Sequence, residues 1–355
     1  MNKQKNFKEH QYGNKDSSIS VLRKIFSLPT LISFSIAVSV IIFLTFRFDL
    51  DWDSTWINIK NVNFWLYILG FSFYYLSFIF RGLRWRILAH NASLDKGLNV
   101  KLPSTLKCAQ FILLGWFINT VTWFRLGDAY RAYEFSRESK SNFPKVVGTV
   151  LAERILDMVT VFFLMISAAV YLSVDHDLIP SPSLLIASTV MVISIIALLL
   201  LMNQFGLQLS KWLPQKLQEI YRMFHTGTLS SFNSLPLVII LGLIGWGLEV
   251  ARLFFVIEAL NLDVRFSLIL FVALASSLLS TIPITPGGLG IVEPGIIGIL
   301  MLSLSRHDSV SIALIDRSIS YGSIVLLGGI FFAFIQIKRA ILARKSLNIN
   351  NLTGL

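Results

Sequence analysis

Two segments of the sequence place an acid directly beside an arginine inside long apolar runs. Glu153 precedes Arg154 in "LAERILDM", and Asp316 precedes Arg317 in "LIDRSISYG". An ionisable side chain inside a transmembrane helix costs about 2.5–3.5 kcal/mol on insertion scales, so it needs a partner or a water-filled cavity. Arginine binds phosphate oxygens through charge-assisted hydrogen bonds. We therefore predict that Arg154 and Arg317 bind a phosphate group.

The neighbouring acids are candidate partners for these arginines, and their spacing limits the pairing. Adjacent helical residues point apart, so Glu153 and Arg154 cannot pair well with each other, whereas Glu153 and Asp157 share a helix face. We expect pairing across the two halves of the chain. Arg154 would bind an acid of the second half, and Arg317 would bind Glu153 or Asp157. The alternative is that these charges are structural bridges that only assemble the helices.

The peptide "STIPITPGGLGIVEPG" at residues 280–295 interrupts an apolar run with prolines and glycines. Its backbone N–H groups can approach a ligand closely, because glycine places no side chain in the way. A helix that starts just after the glycines would direct its positive end at the ligand, which favours phosphate. Glu293 would lie in the first turn of that helix. The alternative is a plain kinked loop. The residues predicted to contact phosphate here are Thr285, Gly287, Gly288 and Gly290.

Two further basic segments adjoin apolar runs. Arg125, Arg131 and Arg137 recur every six residues in "FRLGDAYRAYEFSRE". This spacing fits an amphipathic helix at the membrane surface, where Arg125, Asp128 and Arg131 would receive anionic headgroups, or else a solvated cytoplasmic helix. The segment "RGLRWRILAH" at residues 81–90 combines arginines with a tryptophan, and we interpret it as an interfacial anchor.

The composition indicates that these segments belong to a membrane protein. The chain has 355 residues, of which 54% are hydrophobic and 14% are charged. Soluble domains carry roughly a quarter charged residues. Several apolar runs also approach the length of about 20 residues that a spanning helix needs. We therefore predict an all-α, polytopic integral membrane protein.

The net charge of +11 raises the question of nucleic-acid binding. Most of the Lys and Arg residues fall on one predicted side of the membrane, which is the positive-inside bias. This bias predicts that both termini lie in the cytoplasm. It accounts for the basic charge, so we expect no binding of nucleic acid. A single cysteine, Cys108, excludes an internal disulfide, and the five histidines are scattered. We expect no metal site and no cofactor.

The apolar runs predict about six full spans and two re-entrant helical hairpins. The first hairpin lies near residues 108–124, because a full crossing there would put a basic loop on the wrong side. The second lies near residues 266–305, because this segment follows an outward span, precedes the final inward span and so must start and finish outside. Eight ordinary spans are the alternative. A basic leader (residues 1–28) precedes one transmembrane domain (29–337), and a basic tail (338–355) follows it. The predicted spans are residues 29–46, 63–80, 146–171, 184–202, 235–260 and 312–337.

A weak internal sequence repeat relates the two predicted hairpins. "TWFRLG" at residues 122–127 and "TPGGLG" at residues 285–290 align at one offset, which also superimposes Glu153 and Arg154 on Asp316 and Arg317. With three spans and one hairpin in each half, the halves (about 29–171 and 184–337) would form an inverted repeat. Such repeats place the binding site near the membrane midplane, where interrupted segments meet.

Five motifs occurring in order give the sequence a family resemblance: "RGLRWRIL", "LGDAYR", "ERILDM", "PITPGGLGIVEPG" and "DRSISYG". Together they resemble the lysylphosphatidylglycerol synthase transmembrane-region family of flippase-like proteins, related to the membrane half of the multiple peptide resistance factor. The resemblance implies a plasma-membrane protein that moves or presents phospholipids or polyprenyl-phosphate lipids. Members that make aminoacyl lipids carry a soluble transferase domain after the membrane part, and we expect that synthase activity to be absent here. Trp123 and Phe124 stand where family members often have proline and a small residue.

These observations favour a lipid flippase or scramblase-like transporter whose partners are membrane lipids. No ATP-binding motif is visible, so transport would be passive or driven by an ion or potential gradient. A membrane-embedded lipid-modifying transferase, with Glu293 or Asp316 as its acid or base, is the runner-up. A scaffold or binding subunit for a separate synthase is the third reading, and homo-oligomers are compatible with all three. The predicted charge partners or proton relay are Glu153, Asp157, Glu293 and Asp316.

Overall fold

The computed structural model describes residues 52–94, 101–122, 124–175, 182–281 and 285–353. These residues are almost entirely helical, and none of them forms a strand. The prediction of an all-α, multi-pass membrane protein is confirmed. The basic leader and the predicted span at residues 29–46 lie outside the described residues. In chain order the helices are α1 (Trp52–Lys60), α2 (Phe64–Asn91), α3 (Thr105–Val121), α4 (Leu126–Ser139), α5 (Phe143–Asp175), α6 (Pro182–Ser210), α7 (Gln215–Ser230), α8 (Leu235–Ala259), α9 (Phe266–Thr281), α10 (Val292–Leu300), α11 (Arg306–Arg317) and α12 (Ile324–Thr353).

Four stretches of helix in the described ranges are long and apolar enough to cross a membrane. They are Phe64–Asn91, Phe143–Tyr171, Gln215–Ala259 and Arg306–Arg339. These stretches correspond to the predicted spans at residues 63–80, 146–171, 235–260 and 312–337. The predicted span at 184–202 falls within α6. The total number of crossings stays a prediction.

Local sequence explains where several of these helices begin. The side chain of Asn63 accepts hydrogen bonds from the N–H groups of Trp65 and Leu66, and so caps α2. Ser104 caps α3 in the same way, through the N–H of Lys107. These caps satisfy backbone donors that have no partner within the helix.

Two pairs of packed helices lie at or beside the predicted hairpins. The apolar stretch predicted as the first hairpin, residues 108–124, is mostly the single helix α3. α3 packs against the next helix, α4, and Gly115 and Gly127 let their backbones touch. α9 and α10 pack together around a connection that contains a short 3₁₀-helix, Pro286–Gly288. Whether either hairpin re-enters a membrane from one face stays a prediction, as does the inverted relation of the two halves.

The centre of the bundle is the contact between α2 and α8. Tyr74 and Leu253 are almost fully buried there, and Gly70 brings α2 close to the backbone of α8. α5 packs against α7 through Gly148 and Gly227, where neither helix has a side chain to separate the backbones. The two hairpins and α11 pack against these long helices.

The interpretation of residues 81–90 as an interfacial anchor is wrong. α2 continues through this segment to Asn91, and Arg81, Arg84 and Trp85 are all buried within the protein. Trp85 donates a hydrogen bond to the hydroxyl of Thr149 over 3.0 Å. The arginines are buried because acids on neighbouring helices pair with them, which offsets the cost of removing a charge from water.

The last predicted span changes its helical type in the middle. α11 ends at Arg317, Ser318–Ser323 is a π-helix, and α12 continues from Ile324. Single π-turns inside helices are rare and occur frequently at functional sites. Tyr321 lies within this π-helix, four residues after Arg317 and beside the turns of both hairpins.

Candidate functional site: a charged cavity between the hairpin turns

A cavity of about 150 Å³ lies where the two hairpin turns meet α2, α5, α8 and the π-helix. Several predicted site residues line it together, although they are far apart in the sequence. They are Arg125, Arg154, Asp157, Thr285, Gly287, Asp316 and Arg317. The other predicted residues lie outside its lining. They are Asp128, Arg131, Glu153, Gly288, Gly290 and Glu293.

Arg154 belongs to a closed ring of alternating charges on the first-half side of the cavity. It lies 3.1 Å from Asp128 and 3.8 Å from Asp157. Arg84 joins Asp157 to Glu153, at 2.8 and 3.2 Å. Arg131 then closes the ring between Glu153 and Asp128, at 2.7 and 3.2 Å. Arg125 binds Asp128 from outside the ring. We call the six residues of the ring and Arg125 together the Arg154 cluster.

Asp128 anchors this cluster to the first hairpin. It lies outside the long apolar helices, in the first turn of α4. Burial alone would raise the pKa of this carboxyl, but the guanidinium groups of Arg154, Arg131 and Arg125 hold its pKa well below the ordinary value. The carboxylate is therefore charged at neutral pH, and it fixes Arg154 beside the hairpin turn.

The second half has its own charged contacts around the cavity. Arg317 donates to Glu293 over 2.7 Å and to the carbonyl oxygen of Gly287 over 3.0 Å. Its guanidinium also stacks on the Tyr321 ring at 5.0 Å. Separately, Asp316 binds Arg252. Arg252 in turn lies 3.4 Å from Glu249.

The chain of charges continues from α8 to α2. Arg81 lies 3.3 Å from Glu249. We call the resulting line of residues the Arg252 chain, and its members are Arg81, Glu249, Arg252 and Asp316. All four side chains are buried, so each charge depends on its neighbour in the line.

The predicted pairing of Arg154 and Arg317 across the two halves is wrong. Arg154 pairs with Asp128 and Asp157 of the first half, and Arg317 pairs with Glu293 of the second half. Each hairpin places an acid of its own beside the arginine, so no contact with the other half is required. The expectation that Glu153 and Arg154 turn apart is confirmed, since they bind different partners.

The glycine-rich peptide adopts the backbone that its sequence predicts, but its N–H groups are already used. Gly287, Gly288 and Gly290 all have positive φ, and Glu293 lies in the first turn of α10. The N–H of Gly290 donates to the Glu293 carboxylate over 2.7 Å, and the N–H of Gly288 donates to the Thr285 carbonyl over 3.2 Å. The predicted cradle of free N–H groups is therefore wrong at these two glycines.

Tyr321 joins the two hairpin turns. Its hydroxyl donates to the carbonyl oxygen of Thr120 at the end of α3, over 3.3 Å. Its ring packs so close to Gly287 that a Cβ on that glycine would lie 2.7 Å from a ring carbon. The turns of both hairpins are thus held together at one point on the cavity wall.

The predicted headgroup-access segment is only partly exposed. Arg131 is fully buried and stacks on Trp85 at 4.9 Å, so it cannot receive a ligand from the surface. Arg125 has 26% of its side chain exposed and binds Asp128 over 3.3 Å. The repeat of arginines in this segment therefore reflects internal pairing more than an exposed basic face.

Several buried polar atoms on the cavity wall have no hydrogen-bond partner within the described ranges. Apart from the carboxylate of Asp157, which is ion-paired with Arg84, they are Arg81 Nε, Arg154 Nε, Trp246 Nε1, Thr285 Oγ1 and Ser320 Oγ. Buried polar groups in proteins are almost always hydrogen-bonded, so this wall is suited to a polar guest. No group of metal-ligating side chains occurs among the described residues. The sequence analysis missed Arg81, Trp246 and Tyr321, because single residues inside apolar helices carry no local pattern.

Comparisons with known proteins agree with this architecture. Residues 31–328 match the family model described as the lysylphosphatidylglycerol synthase TM region. A UPF0104 membrane protein of Methanocaldococcus jannaschii is 37% identical over 224 residues, which cover 62% of this chain and 94% of that protein. A second, from Pyrococcus horikoshii, is 26% identical over 74% of this chain and 85% of its own length. The chain therefore belongs to the lysylphosphatidylglycerol synthase transmembrane-region family.

Proposed function

We propose that this chain is a lipid flippase or scramblase-like transporter. It would move the headgroup of a phospholipid or a polyprenyl-phosphate-linked lipid across the cell membrane. One observation carries the proposal: Arg154 and Arg317, one from each half, line a single polar cavity together with both hairpin turns. Membership of a membrane protein family named for a lipid synthase supports a lipid-related role.

The charge balance around the cavity favours an anionic guest. The Arg154 cluster contains four arginines and only three acids, so these residues carry one net positive charge. The Arg252 chain and the Arg317–Glu293 pair are each balanced. A phosphate with one negative charge would compensate the excess, which matters most where water is scarce.

Arg154 is the group best placed to bind that phosphate. Arg154 lines the cavity, its buried Nε–H has no partner in the described ranges, and 20% of its side chain remains exposed. Arg317 contributes a second guanidinium, with 13% of its side chain exposed. The hydroxyl groups of Thr285 and Ser320 can add neutral hydrogen bonds.

The acids of the cavity hold these arginines in place. Asp128 and Asp157 position Arg154, and Glu293 positions Arg317. Passage of a headgroup would require the hairpin turns to separate at Tyr321, while the acyl chains stay in the lipid. The proposal places the protein in the plasma (inner) membrane with both termini in the cytoplasm, and movement would be passive or driven by a gradient.

The proposal assigns no catalytic group. Glu293 and Asp316, the acids that a lipid-modifying transferase would use, are each bound to a guanidinium group. A general base must reach the proton that it removes. Both oxygens of Glu293 accept hydrogen bonds, from Arg317 and from the N–H of Gly290, and Oδ1 of Asp316 binds Arg252. This pairing supports transport over the transferase, and a scaffold role is separated from both by the experiment below.

The test is translocation of headgroup-labelled anionic and polyprenyl-phosphate lipids in proteoliposomes. Arg154→Gln should slow translocation by roughly ten- to a hundredfold, the effect of losing one charged hydrogen bond of about 1.5–3 kcal/mol. Arg137→Gln is the matched control, because Arg137 is 41% exposed and does not line the cavity. The control should translocate lipid at the wild-type rate.

Folding must be checked in the same preparations. Asp128 keeps Arg125 and Arg131 as partners when Arg154 is replaced, so Arg154→Gln should still fold and give the wild-type elution profile in detergent. If the folded wild type moves none of these lipids, the transporter proposal fails. If wild type and both variants move them equally fast, the Arg154 assignment fails instead.

A further inference from the structure

The cavity has a second polar region, on the walls formed by α2 and α8. Arg81 and Trp246 line it and are only 4% and 8% exposed. Arg81 Nε and Trp246 Nε1 have no hydrogen-bond partner in the described part of the chain. Both groups are donors and cannot accept a hydrogen bond, so they require an acceptor from a guest.

The charges in this region are already balanced. Arg81 belongs to the Arg252 chain, in which two arginines alternate with two acids. A further anion here would lack a compensating charge, unlike an anion at the Arg154 cluster. The two unpartnered donors therefore suit an uncharged acceptor, such as the oxygen of a hydroxyl or ether group.

The donors are also held in fixed positions. The guanidinium of Arg81 stacks on the rings of Trp116 and Trp246, at 5.2 and 5.1 Å. Glu249 binds its Nη2 atom over 3.3 Å. A guest oxygen would therefore meet preorganised donors, and little conformational freedom would be lost on binding.

We propose that Arg81 and Trp246 form a subsite for the uncharged polyol end of a phosphodiester headgroup, whose phosphate lies at Arg154. The inference rests on the proposed transport function and narrows its substrate class. The preferred lipid carries one negative charge and a hydroxylated group such as glycerol or a sugar. A headgroup that ends at the phosphate leaves both donors without a partner.

Two lipids that differ only in the polyol can test this subsite. Phosphatidylglycerol and phosphatidylmethanol are both singly charged phosphodiesters, and they differ in the hydroxyl groups beyond the phosphate. Both are labelled on the acyl chain, so the headgroup stays intact. Translocation of each lipid is measured in proteoliposomes that contain the full chain as wild type, Trp246→Phe or the control Trp65→Phe.

Wild type should move phosphatidylglycerol about three- to tenfold faster than phosphatidylmethanol, the effect of one neutral hydrogen bond. Trp246→Phe keeps a ring beside Arg81 and removes the N–H, so it should lose this preference by slowing phosphatidylglycerol alone. Trp65→Phe, the same change at a 77% exposed residue that does not line the cavity, should keep the preference. Trp246→Phe should still give the wild-type elution profile in detergent, since the lost N–H has no partner among the described residues and an aromatic ring remains.

The possible failures are distinct. If wild type moves both lipids at one rate, or if Trp246→Phe keeps the full preference, the polyol subsite is overturned while lipid transport stands. If wild type moves neither lipid in vesicles where the protein is folded, the transport proposal fails and the subsite falls with it.

Discussion

The first hairpin (α3 and α4) and the second hairpin (α9 and α10) use the same ionic contact. In each, an acid in the first turn of the second helix binds the arginine of an acid–arginine pair on a later helix. Asp128 lies 3.1 Å from Arg154, and Glu293 lies 2.7 Å from Arg317. Both contacts tie a hairpin turn to the wall of the cavity.

The acid of each acid–arginine pair also has an equivalent role in the two halves. Glu153 binds Arg84 of α2 over 3.2 Å, and Asp316 binds Arg252 of α8. α2 and α8 are the helices that pack together at the centre of the bundle. In both halves, therefore, an acid–arginine dipeptide joins a hairpin turn to the central helix pair.

The backbones of the two hairpins differ much more than their charges. The first turn holds Phe124 and Arg125 at φ of 56° and 52°, whereas the second places Gly287 at 59°. The helices of the first hairpin meet backbone to backbone at Gly115 and Gly127. Those of the second meet through a side chain. The two hairpins thus share their ion pairs, but they differ in the backbone of the turn and in how their helices pack.

The largest expected difference between the hairpins is their tolerance of an added methyl group. A Cβ on Gly127 would lie 1.8 Å from the carbonyl oxygen of Gly115, and neither backbone can move away. A Cβ on Gly295 would meet only the flexible end of Leu279, at 2.3 Å. Gly127→Ala should lower the free energy of unfolding by about 3 kcal/mol, and Gly295→Ala by less than about 1 kcal/mol. Equal losses in reversible unfolding by SDS would contradict this difference in packing.

The next test is the pH dependence of the Asp128 contact. The folded pKa of Asp128 is depressed, so its stabilising effect is present above the ordinary carboxyl pKa and is lost as the pH falls toward the folded value. Asp128→Asn should cost about 2 kcal/mol at neutral pH. The stability difference from wild type should shrink below about pH 4, near the unfolded carboxyl pKa. A difference that stays constant from pH 7 to pH 3 would show that Asp128 is not the titrating group.

The sequence predicted which charges line the cavity but not how they pair. Arg154, Asp157, Asp316 and Arg317 stand out because ionisable residues inside apolar runs are costly and need partners. Their pairing depends on which helix faces which, and residue spacing along one helix contains no such information. The sequence does show an acid shortly after each predicted turn, Asp128 in the first hairpin and Glu293 in the second.

The buried arginines of α2 show a second limit of sequence-based prediction. Arg81 and Arg84 follow an apolar run, where basic residues usually mark the membrane surface. In the structure α2 continues past them, and Glu249, Glu153 and Asp157 supply the compensating charges. Those acids are distant in sequence, so only the tertiary arrangement distinguishes an interfacial anchor from a buried ion pair.

A smaller loss of stability is expected at Gly287, where the two hairpin turns meet. Gly287 has a φ of 59°, and a Cβ there would lie 2.7 Å from the Tyr321 ring and 3.1 Å from the methyl group of Thr120. Gly287→Ala should therefore cost about 1–2 kcal/mol through backbone strain and crowding. Tyr321→Leu in the same background should recover part of that loss in thermal unfolding. If the double variant is no more stable than Gly287→Ala alone, Tyr321 is not the obstacle.

The smallest effect should be a gain in stability at the first turn. Phe124 is 73% exposed, so little burial is lost with its side chain, and its left-handed backbone is strained for any residue except glycine. Phe124→Gly should raise the free energy of unfolding by about 0.5–1 kcal/mol, after the larger unfolded-state entropy of glycine is subtracted. Phe124→Ala is the matched control, because alanine removes the ring and keeps the strain. If alanine stabilises the protein as much as glycine does, the gain comes from removing an exposed ring, and the backbone difference between the two turns carries no energy.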